Sequence, residues 1–274
     1  EAVPYHYVNQ GSSAMPGVLG CPMRTIDKQT VWAEPFLPDA DAVLDVEFDP
    51  QSPFYRRIRR LTEASCRRAP GHHFVAPFAL EGISDLMAAL YGLEPFLMDC
   101  VLETERVARA MEHLKHVWLQ AWSHIQGVID TGNPGGIGWC GIWAPGTTFP
   151  LQEDVAYNLS PELFSRLCLP HIRDQIAAME YPFFHLDGVG MIGHLDALLE
   201  IPELRVVQWQ PGAGKEDLAP WHDLLRRILA AGKSVQVYAR ADEIEPLIDA
   251  VGTRGVLAIV TDATHENMQQ LGVS

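Results

Sequence analysis

Short apolar runs alternate with longer amphipathic stretches along most of the chain, from about residue 72 onwards. The apolar runs predict β-strands over 73–79, 137–143, 182–185, 205–209, 234–238 and 256–260. The stretches between them repeat apolar positions at helical spacing and predict helices over 84–91, 95–99, 103–129, 161–179, 193–200, 218–231, 242–251 and 264–271. Strands that alternate with helices in this way predict a parallel sheet covered by helices.

The first 70 residues are less regular. They offer a strand over 2–8, part of a hairpin at 30–32 and a helix over Pro53–Cys66. The chain then has seven strands, whereas a closed (β/α)₈ TIM barrel has eight, typically in about 250 residues. Because the chain begins inside a strand-like run, we expect one barrel domain over 1–274 that lacks its first βα unit. Residues 1–70 form the irregular N-terminal portion of that domain.

An open doubly wound sheet is the other architecture that this alternation allows. Such a sheet commonly carries a GxGxxG turn between an early strand and its helix, and none occurs here. The glycine-rich segment 132–138 precedes a predicted strand, so we interpret it as a loop. The barrel is therefore the preferred prediction.

Composition and charge narrow the class of protein. Hydrophobic residues make up 47% and charged residues 20% of the 274 positions, which is ordinary for a globular protein, and no apolar run approaches the roughly 20 residues that span a bilayer. The formal net charge of −15 argues against nucleic acid or an anionic membrane as a partner. The arginines between positions 56 and 68 are interpreted as a solvated helix face. Five cysteines without a CxxC spacing predict free thiols and a cytoplasmic location.

The stretch from Tyr181 to Gly190 carries the clearest chemical signal. Its apolar strand ends in His185 and Asp187, which lie two residues apart and therefore point to the same side. This pair predicts a divalent metal site, with zinc or iron favoured by the ligand types, or an acid–base pair. A third ligand would come from another strand end, namely Glu81, Asp154, Asp262 or a cysteine. The structural alternative is a histidine held in place by a neighbouring carboxylate.

Other candidates follow from the ends of the predicted strands, because the active site of a parallel barrel lies there. Asp154 would act as a general base or orient His185, although a surface carboxylate is the alternative. The predicted substrate-binding set contains Asp85, Trp143, Gln208, Trp209 and Tyr238. For Trp209 the alternative is a side chain that plugs the barrel. His72 and His73, at the start of a strand, are expected to contribute to stability.

Three segments resemble the C-terminal half of the uroporphyrinogen decarboxylase superfamily. They are Pro182-Phe-Phe-His-Leu-Asp-Gly188, His194-Leu-Asp-Ala-Leu-Leu-Glu-Ile201 and Val207-Gln-Trp-Gln-Pro-Gly-Ala-Gly214. Leu151-Gln-Glu-Asp154 and Ser160-Pro-Glu-Leu-Phe164 fit the same branch. The resemblance covers most of the chain from about residue 70 and implies a (β/α)₈ barrel.

Within that superfamily the chain is similar to an uncharacterised branch related to cobamide-dependent methyltransferases. Those enzymes activate a thiol with zinc bound by a His-x-Cys-Gly motif and a distant cysteine. His185-Leu-Asp187-Gly188 occupies the place of that motif, with aspartate instead of cysteine. Because a carboxylate is a harder ligand than a thiolate, zinc–thiolate chemistry is weakened. The resemblance implies a small substrate, a corrinoid carried by a partner protein, and a divalent metal bound by His185 and Asp187.

The function expected from this resemblance is cobamide-linked methyl transfer, catalysed by His185, Asp187 and Asp154. A decarboxylase that acts on a carboxylated substrate is the second enzyme class, and a degenerate barrel that only binds a ligand is the third alternative. The acidic strand ends fit poorly with a substrate that carries many carboxylates, because like charges repel. A homo-oligomer is also compatible with the sequence.

Overall fold

The computed structural model describes residues 3–11, 13–25 and 31–271, except for the side chains of His265 and Gln270. The strands in this part of the chain are β1 Tyr5–Tyr7, β2 Met23–Thr25, β3 Val31–Ala33, β4 Phe74–Ala76, β5 Gly136–Ile137, β6 Trp143–Ala144, β7 Pro150–Leu151, β8 Phe183–Asp187, β9 Val206–Gln210, β10 Ser234–Ala239 and β11 Val256–Val260. The α-helices are α1 Ala14–Val18, α2 Pro53–Cys66, α3 Ile83–Tyr91, α4 Leu93–Leu102, α5 Thr104–Val128, α6 Pro161–Leu167, α7 Leu169–Ala177, α8 Leu195–Leu199, α9 His222–Ala230, α10 Ile244–Val251 and α11 His265–Gln270.

The protein is an α/β structure built on parallel strands. Five strands form one sheet in the order β11-β10-β9-β8-β7, and all neighbouring strands are parallel. A second parallel pair joins β1 to β4, and two short antiparallel pairs join β2 to β3 and β5 to β6. The alternation of strands and helices thus predicted a parallel sheet correctly. Within the described residues, the strand pairings do not close an eight-stranded ring.

The two faces of β8 have different surroundings. Phe184 and Leu186 are fully buried in the large hydrophobic core that the helices share with the sheet. Phe183 points to the other side and packs in a separate cluster with Cys140 and Ile142. Alternation along the strand places His185 and Asp187 on the same side as Phe183. We call this side the inner face of the sheet.

Two sequence predictions differ from the structure in the segment between α5 and α6. The predicted strand over 137–143 is instead a tight hairpin of β5 and β6. Gly138 lies at its turn, where a Cβ atom would approach the Phe183 ring to 2.8 Å, so glycine permits the hairpin to press against the sheet. The parallel strand in this region is β7, whose two residues are too few to give a periodic pattern.

The predicted helix over 161–179 is divided into α6 and α7 at Cys168. Pro170 lies in the first turn of α7, and proline has no backbone N–H to continue the hydrogen bonds of α6. Other boundaries shift by a few residues. The predicted strand 2–8 is β1, with Ala2 outside the described residues. The predicted hairpin is the β2–β3 pair, with Thr30 outside them.

All five cysteines are buried and free. None of the helices in the described residues is both long enough and apolar enough to cross a membrane. The largest hydrophobic cluster collects side chains from Val8 in the first strand region to Leu247 in α10.

The unequal burial of the strands leads to a stability prediction. Leu186→Ala removes a fully buried side chain of β8, and we expect it to lower the free energy of unfolding by about 2–5 kcal/mol. Leu257→Ala on β11 is the matched control, because that leucine is 44% exposed and should cost well under 1 kcal/mol. Urea denaturation monitored by circular dichroism measures both values. Equal losses in the two variants would contradict the assigned core.

Candidate metal centre

The inner face of β8 presents His185 and Asp187 at the end of the strand. The Nε2 atom of His185 lies 3.8 Å from Oδ2 of Asp187, and the imidazole is almost completely buried. Asp154 approaches from the neighbouring strand, so that one ligand atom from each of the three residues lies within 4.8 Å of the others. The sequence predicted His185 and Asp187 as a pair and named Asp154 among four sources of a third ligand. The structure brings these three side chains together.

Asp154 reaches this position because β7 is a parallel strand beside β8. Pro150 and Leu151 pair with Phe183 and Phe184, so the residues that follow β7 emerge beside the end of β8. Gln152 donates a hydrogen bond from Nε2 to Oδ2 of Asp154 at 2.8 Å. The other oxygen of Asp154, Oδ1, is buried and has no hydrogen-bond partner among the described residues.

Gln208 determines which nitrogen of His185 faces the carboxylates. The β8–β9 register places Gln208 directly opposite His185, and its side-chain oxygen accepts a hydrogen bond from Nδ1 of the imidazole. The amide group of Gln208 is oriented in turn by donation from Nε2 to the carbonyl of Trp209 at 3.2 Å. Since a carbonyl oxygen can only accept, Nδ1 carries a proton and Nε2 is directed at the carboxylates.

Trp139 covers the other side of the His185 ring. It lies at the turn of the β5–β6 hairpin, and its ring packs edge-on against the imidazole with centroids 5.1 Å apart. The same turn is fixed by Gln236 of β10, whose Nε2 donates to the carbonyl of Cys140 at 2.7 Å. Trp139 is not among the predicted site residues, because the sequence of this hairpin predicted a strand. The cluster of glycines around it was the only signal.

Two further carboxylates support the loop that carries Asp154. Glu153 is fully buried and accepts hydrogen bonds from the backbone N–H groups of Ile83 and Ser84, at 3.0 and 2.7 Å. Asp85 accepts from the backbone N–H groups of Gly82 and Val155, at 3.1 and 2.7 Å. These bonds satisfy the open N-terminus of α3 and fasten it to the loop after β7. Asp85, predicted to bind substrate, therefore holds the position of Asp154.

The electrostatic environment penalises negative charge at this end of the sheet. Burial raises the pKa of Asp154 to about 8, and the nearby carboxylate of Asp85 adds to the shift. Burial also raises the pKa of Glu153 to about 8. Burial alone would lower the pKa of His185, but the contacts with Asp187 and Asp154 outweigh it and raise the pKa. A bound cation would offset the repulsion among these groups.

Glu81 is a fifth acidic residue near the centre. Its backbone has φ of +56°, an uncommon value for a residue other than glycine, and its carbonyl accepts a hydrogen bond from Nε1 of Trp118 at 2.9 Å. Burial and the charges of Asp85 and Asp154 raise the pKa of its carboxyl group. Asp262, another predicted source of a ligand, is instead engaged by the backbone N–H of Ala241 at 2.8 Å.

The glycines after β8 make room for an aromatic ring. A Cβ atom at Gly188 or Gly190 would lie 3.0 or 2.7 Å from the ring of Tyr157, and Gly188 also has φ of +83°. The space above the end of β8 is therefore partly filled by Tyr157. This side chain was not among the predicted site residues.

The predicted substrate-binding residues do not all lie at the centre. Trp209 points away from Gln208, packs against Trp221 at 5.2 Å and is fully buried in the main core. Trp143 is 41% exposed on β6, where its ring contacts Phe74 rather than His185. Among the described residues, no hydrogen bond or ring contact joins either tryptophan to the triad of Asp154, His185 and Asp187.

Tyr238 lies on β10, near the strand ends of the five-stranded sheet. A pocket of about 280 Å³ opens there and is lined by Gln210, Pro211, Glu216, Tyr238, Ala239, Arg240, Glu243 and Thr261. Gln210 is the register partner of Asp187, so the pocket adjoins the triad. Burial raises the pKa of the Tyr238 phenol to about 12, which keeps the hydroxyl group protonated at neutral pH.

The donor set of the triad fits a divalent metal ion. One imidazole nitrogen and two carboxylate oxygens suit zinc, iron, manganese or cobalt. Oδ1 of Asp154 has no hydrogen-bond partner among the described residues, and Nε2 of His185 faces carboxylate oxygen, with Oδ2 of Asp187 at 3.8 Å. Fold and triad thus define an α/β protein with a candidate metal centre. No family model and no curated protein matches the chain.

A substitution at Gly82 would test the packing of α3 against the loop that carries Asp154. A Cβ atom there would lie 2.1 Å from the carbonyl oxygen of Gln152, so Gly82→Ala should separate α3 from the loop after β7. We expect a loss of about 1–3 kcal/mol in the free energy of unfolding. Gly127→Ala is the control, since Gly127 lies in α5 with no neighbour within 4 Å of a new Cβ atom. Differential scanning calorimetry should show an unchanged or higher melting temperature for Gly127→Ala. Equal decreases in the melting temperatures of the two variants would contradict the close approach of Gly82 to Gln152.

Proposed function

We propose that the protein is a metal-dependent enzyme in which Asp154, His185 and Asp187 hold one divalent cation. The observation that supports this most directly is the orientation of His185, whose Nδ1 is engaged by Gln208 while Nε2 faces both carboxylates. A metal-binding histidine commonly donates its second ring N–H to an oxygen acceptor in this manner. When bound, the cation would act as a Lewis acid toward a substrate or water.

The residues around the triad would have distinct tasks. Gln208 holds the imidazole and Gln152 donates to the carboxylate of Asp154, while Asp85 holds the backbone of the loop that carries Asp154. Trp139 restricts access of water to the buried side of the imidazole. A small substrate would enter from the pocket at the ends of β9 to β11, where Gln210 and Tyr238 offer an amide and a hydroxyl group.

The reaction that we propose is methyl transfer linked to a corrinoid partner protein. The resemblance of the segments around His185, His194 and Gln208 to the uroporphyrinogen decarboxylase superfamily supports it, and so does the parallel α/β architecture. A (β/α)₈-type barrel that lacks its first βα unit in this chain is part of the proposal. With two carboxylates and one imidazole, the centre is harder than a thiolate site, which favours acceptors that bind through oxygen or nitrogen.

Metal binding can be tested by isothermal titration calorimetry of Zn²⁺ and Co²⁺ into metal-free protein. We expect one equivalent to bind, and we expect His185→Gln, Asp154→Asn and Asp187→Asn to abolish saturable binding. Gln208→Leu should retain the site with an affinity lower by about 10–100-fold.

Matched controls lie close to the triad in sequence. His194 is also buried, but its Nε2 donates to the carbonyl of Ala156, so His194→Gln should keep the metal site. Asp196 forms a surface ion pair with Arg227, so Asp196→Asn should also be neutral. Full stoichiometric binding by the Asp154 and Asp187 variants, or none by the wild-type protein, would refute the centre.

The reaction is tested by mixing the metal-loaded protein with methylcobalamin and thiol, amine or alcohol acceptors. We expect methylcobalamin absorbance to fall as methylated acceptor appears in the mass spectrum, and we expect this transfer to require Asp187. Metal binding without any methyl transfer would contradict the reaction but leave the metal centre intact. Release of CO₂ from a carboxylated substrate would instead assign the protein to the decarboxylase class.

A further inference from the structure

A second pocket lies between α2 and the β1–β4 strand pair. It has a volume of about 410 Å³ and is lined by His6, Leu61, Ala64, Ser65, Arg68 and His73. His6 alternates along β1 with Tyr5 and Tyr7. Because the Tyr5 hydroxyl group bonds to the carbonyl of Trp139 at the hairpin turn, His6 points to the opposite side of the strand. The pocket is therefore separate from the candidate metal centre.

One serine joins the two histidines of this pocket. Ser65 Oγ lies 2.8 Å from Nδ1 of His6 and 3.1 Å from Nε2 of His73. The hydroxyl group has a single proton, so it can donate to one imidazole and must accept from the other. Each ring is thereby held in place while its second nitrogen, Nε2 of His6 or Nδ1 of His73, keeps no hydrogen-bond partner in the described part of the chain.

The charge around the pocket is positive in a protein of net charge −15. None of the residues found to line it is acidic, and Arg68 forms no ion pair with any described residue. Arg57 and Arg60 precede Leu61 and Ala64 by four residues each, so they lie on the same side of α2. Neither of them forms an ion pair within the described ranges, whereas Arg59 pairs with Glu63.

We propose that this pocket binds the phosphate group of a small phosphorylated molecule. The imidazole that accepts the Ser65 proton keeps an N–H on its second nitrogen, and this N–H and the guanidinium group of Arg68 both line the pocket. Such donors recognise phosphate oxygens, and the bonds from the guanidinium group are charge-assisted. Inorganic phosphate offers the same chemistry and serves as the probe for it. Arg57 and Arg60 of α2 would bind further negatively charged groups of a larger ligand.

The structural explanation of these cations is that they compensate the negative C-terminal end of α2. Arg67 and Arg68 both follow that end and are equally suited to this role. Only Arg68 lines the pocket, so Arg67 provides a matched control that separates charge compensation from ligand binding.

The test titrates inorganic phosphate and glycerol 3-phosphate into the full protein at constant ionic strength, with chloride as the reference anion. We expect saturable binding, weakened at least about tenfold in Arg68→Gln and in Ser65→Ala, and unchanged in Arg67→Gln. Tighter binding of glycerol 3-phosphate than of phosphate identifies an organic phosphate as the ligand, and the reverse order identifies free phosphate.

A second measurement does not depend on the folding of the variants. In wild-type protein, ¹H–¹³C NMR resolves the imidazole signals of the 11 histidines, and those of His6 and His73 should move during the phosphate titration. The proposal is overturned if neither anion binds saturably, if other histidines respond instead, or if Arg67→Gln weakens binding as much as Arg68→Gln.

Discussion

The hydrogen bond between His185 and Gln208 is the interaction on which the candidate centre depends. It joins β8 to β9 on the inner face of the sheet and leaves only Nε2 of the imidazole to face Asp154 and Asp187. A shift of one residue in the register would turn both side chains into the helix-covered core. The orientation of the imidazole is thus coupled to the pairing of two buried strands, while the loop after β7 supplies Asp154.

Neighbouring residues hold both the imidazole and the loop after β7 in place. The hairpin turn with Trp139 closes one side of the imidazole, and Gln236 holds that turn through the Cys140 carbonyl. On the other side, Glu153 and Asp85 fasten the loop after β7 to the start of α3. Buried carboxylates at such a place cost stability unless they are hydrogen-bonded or neutralised. Glu153 and Asp85 are satisfied by backbone N–H groups, whereas Oδ1 of Asp154 has no partner among the described residues.

Much of the parallel sheet could be predicted because β8 to β11 are continuous apolar runs between strong helix signals. Period-two alternation also predicted that His185 and Asp187 share a side. The same rule shows why Gln208 and Trp209 do not line one pocket, since adjacent strand residues point in opposite directions. The β5–β6 hairpin and β7 escaped prediction because strands of two residues have no measurable period. Trp139 and the supporting role of Asp85 depend on those elements, so they required three-dimensional information.

The central claim is that Asp154, His185 and Asp187 bind one cation together, and the most direct measurement is anomalous diffraction from crystals grown with Zn²⁺. We predict a single strong anomalous peak bonded to Nε2 of His185 at about 2.0–2.1 Å and to oxygens of Asp154 and Asp187 at about 2.0–2.2 Å. The Nδ1 atom should remain hydrogen-bonded to Gln208. No peak between these side chains, or a zinc ion bound elsewhere while Nε2 stays free, would contradict the account.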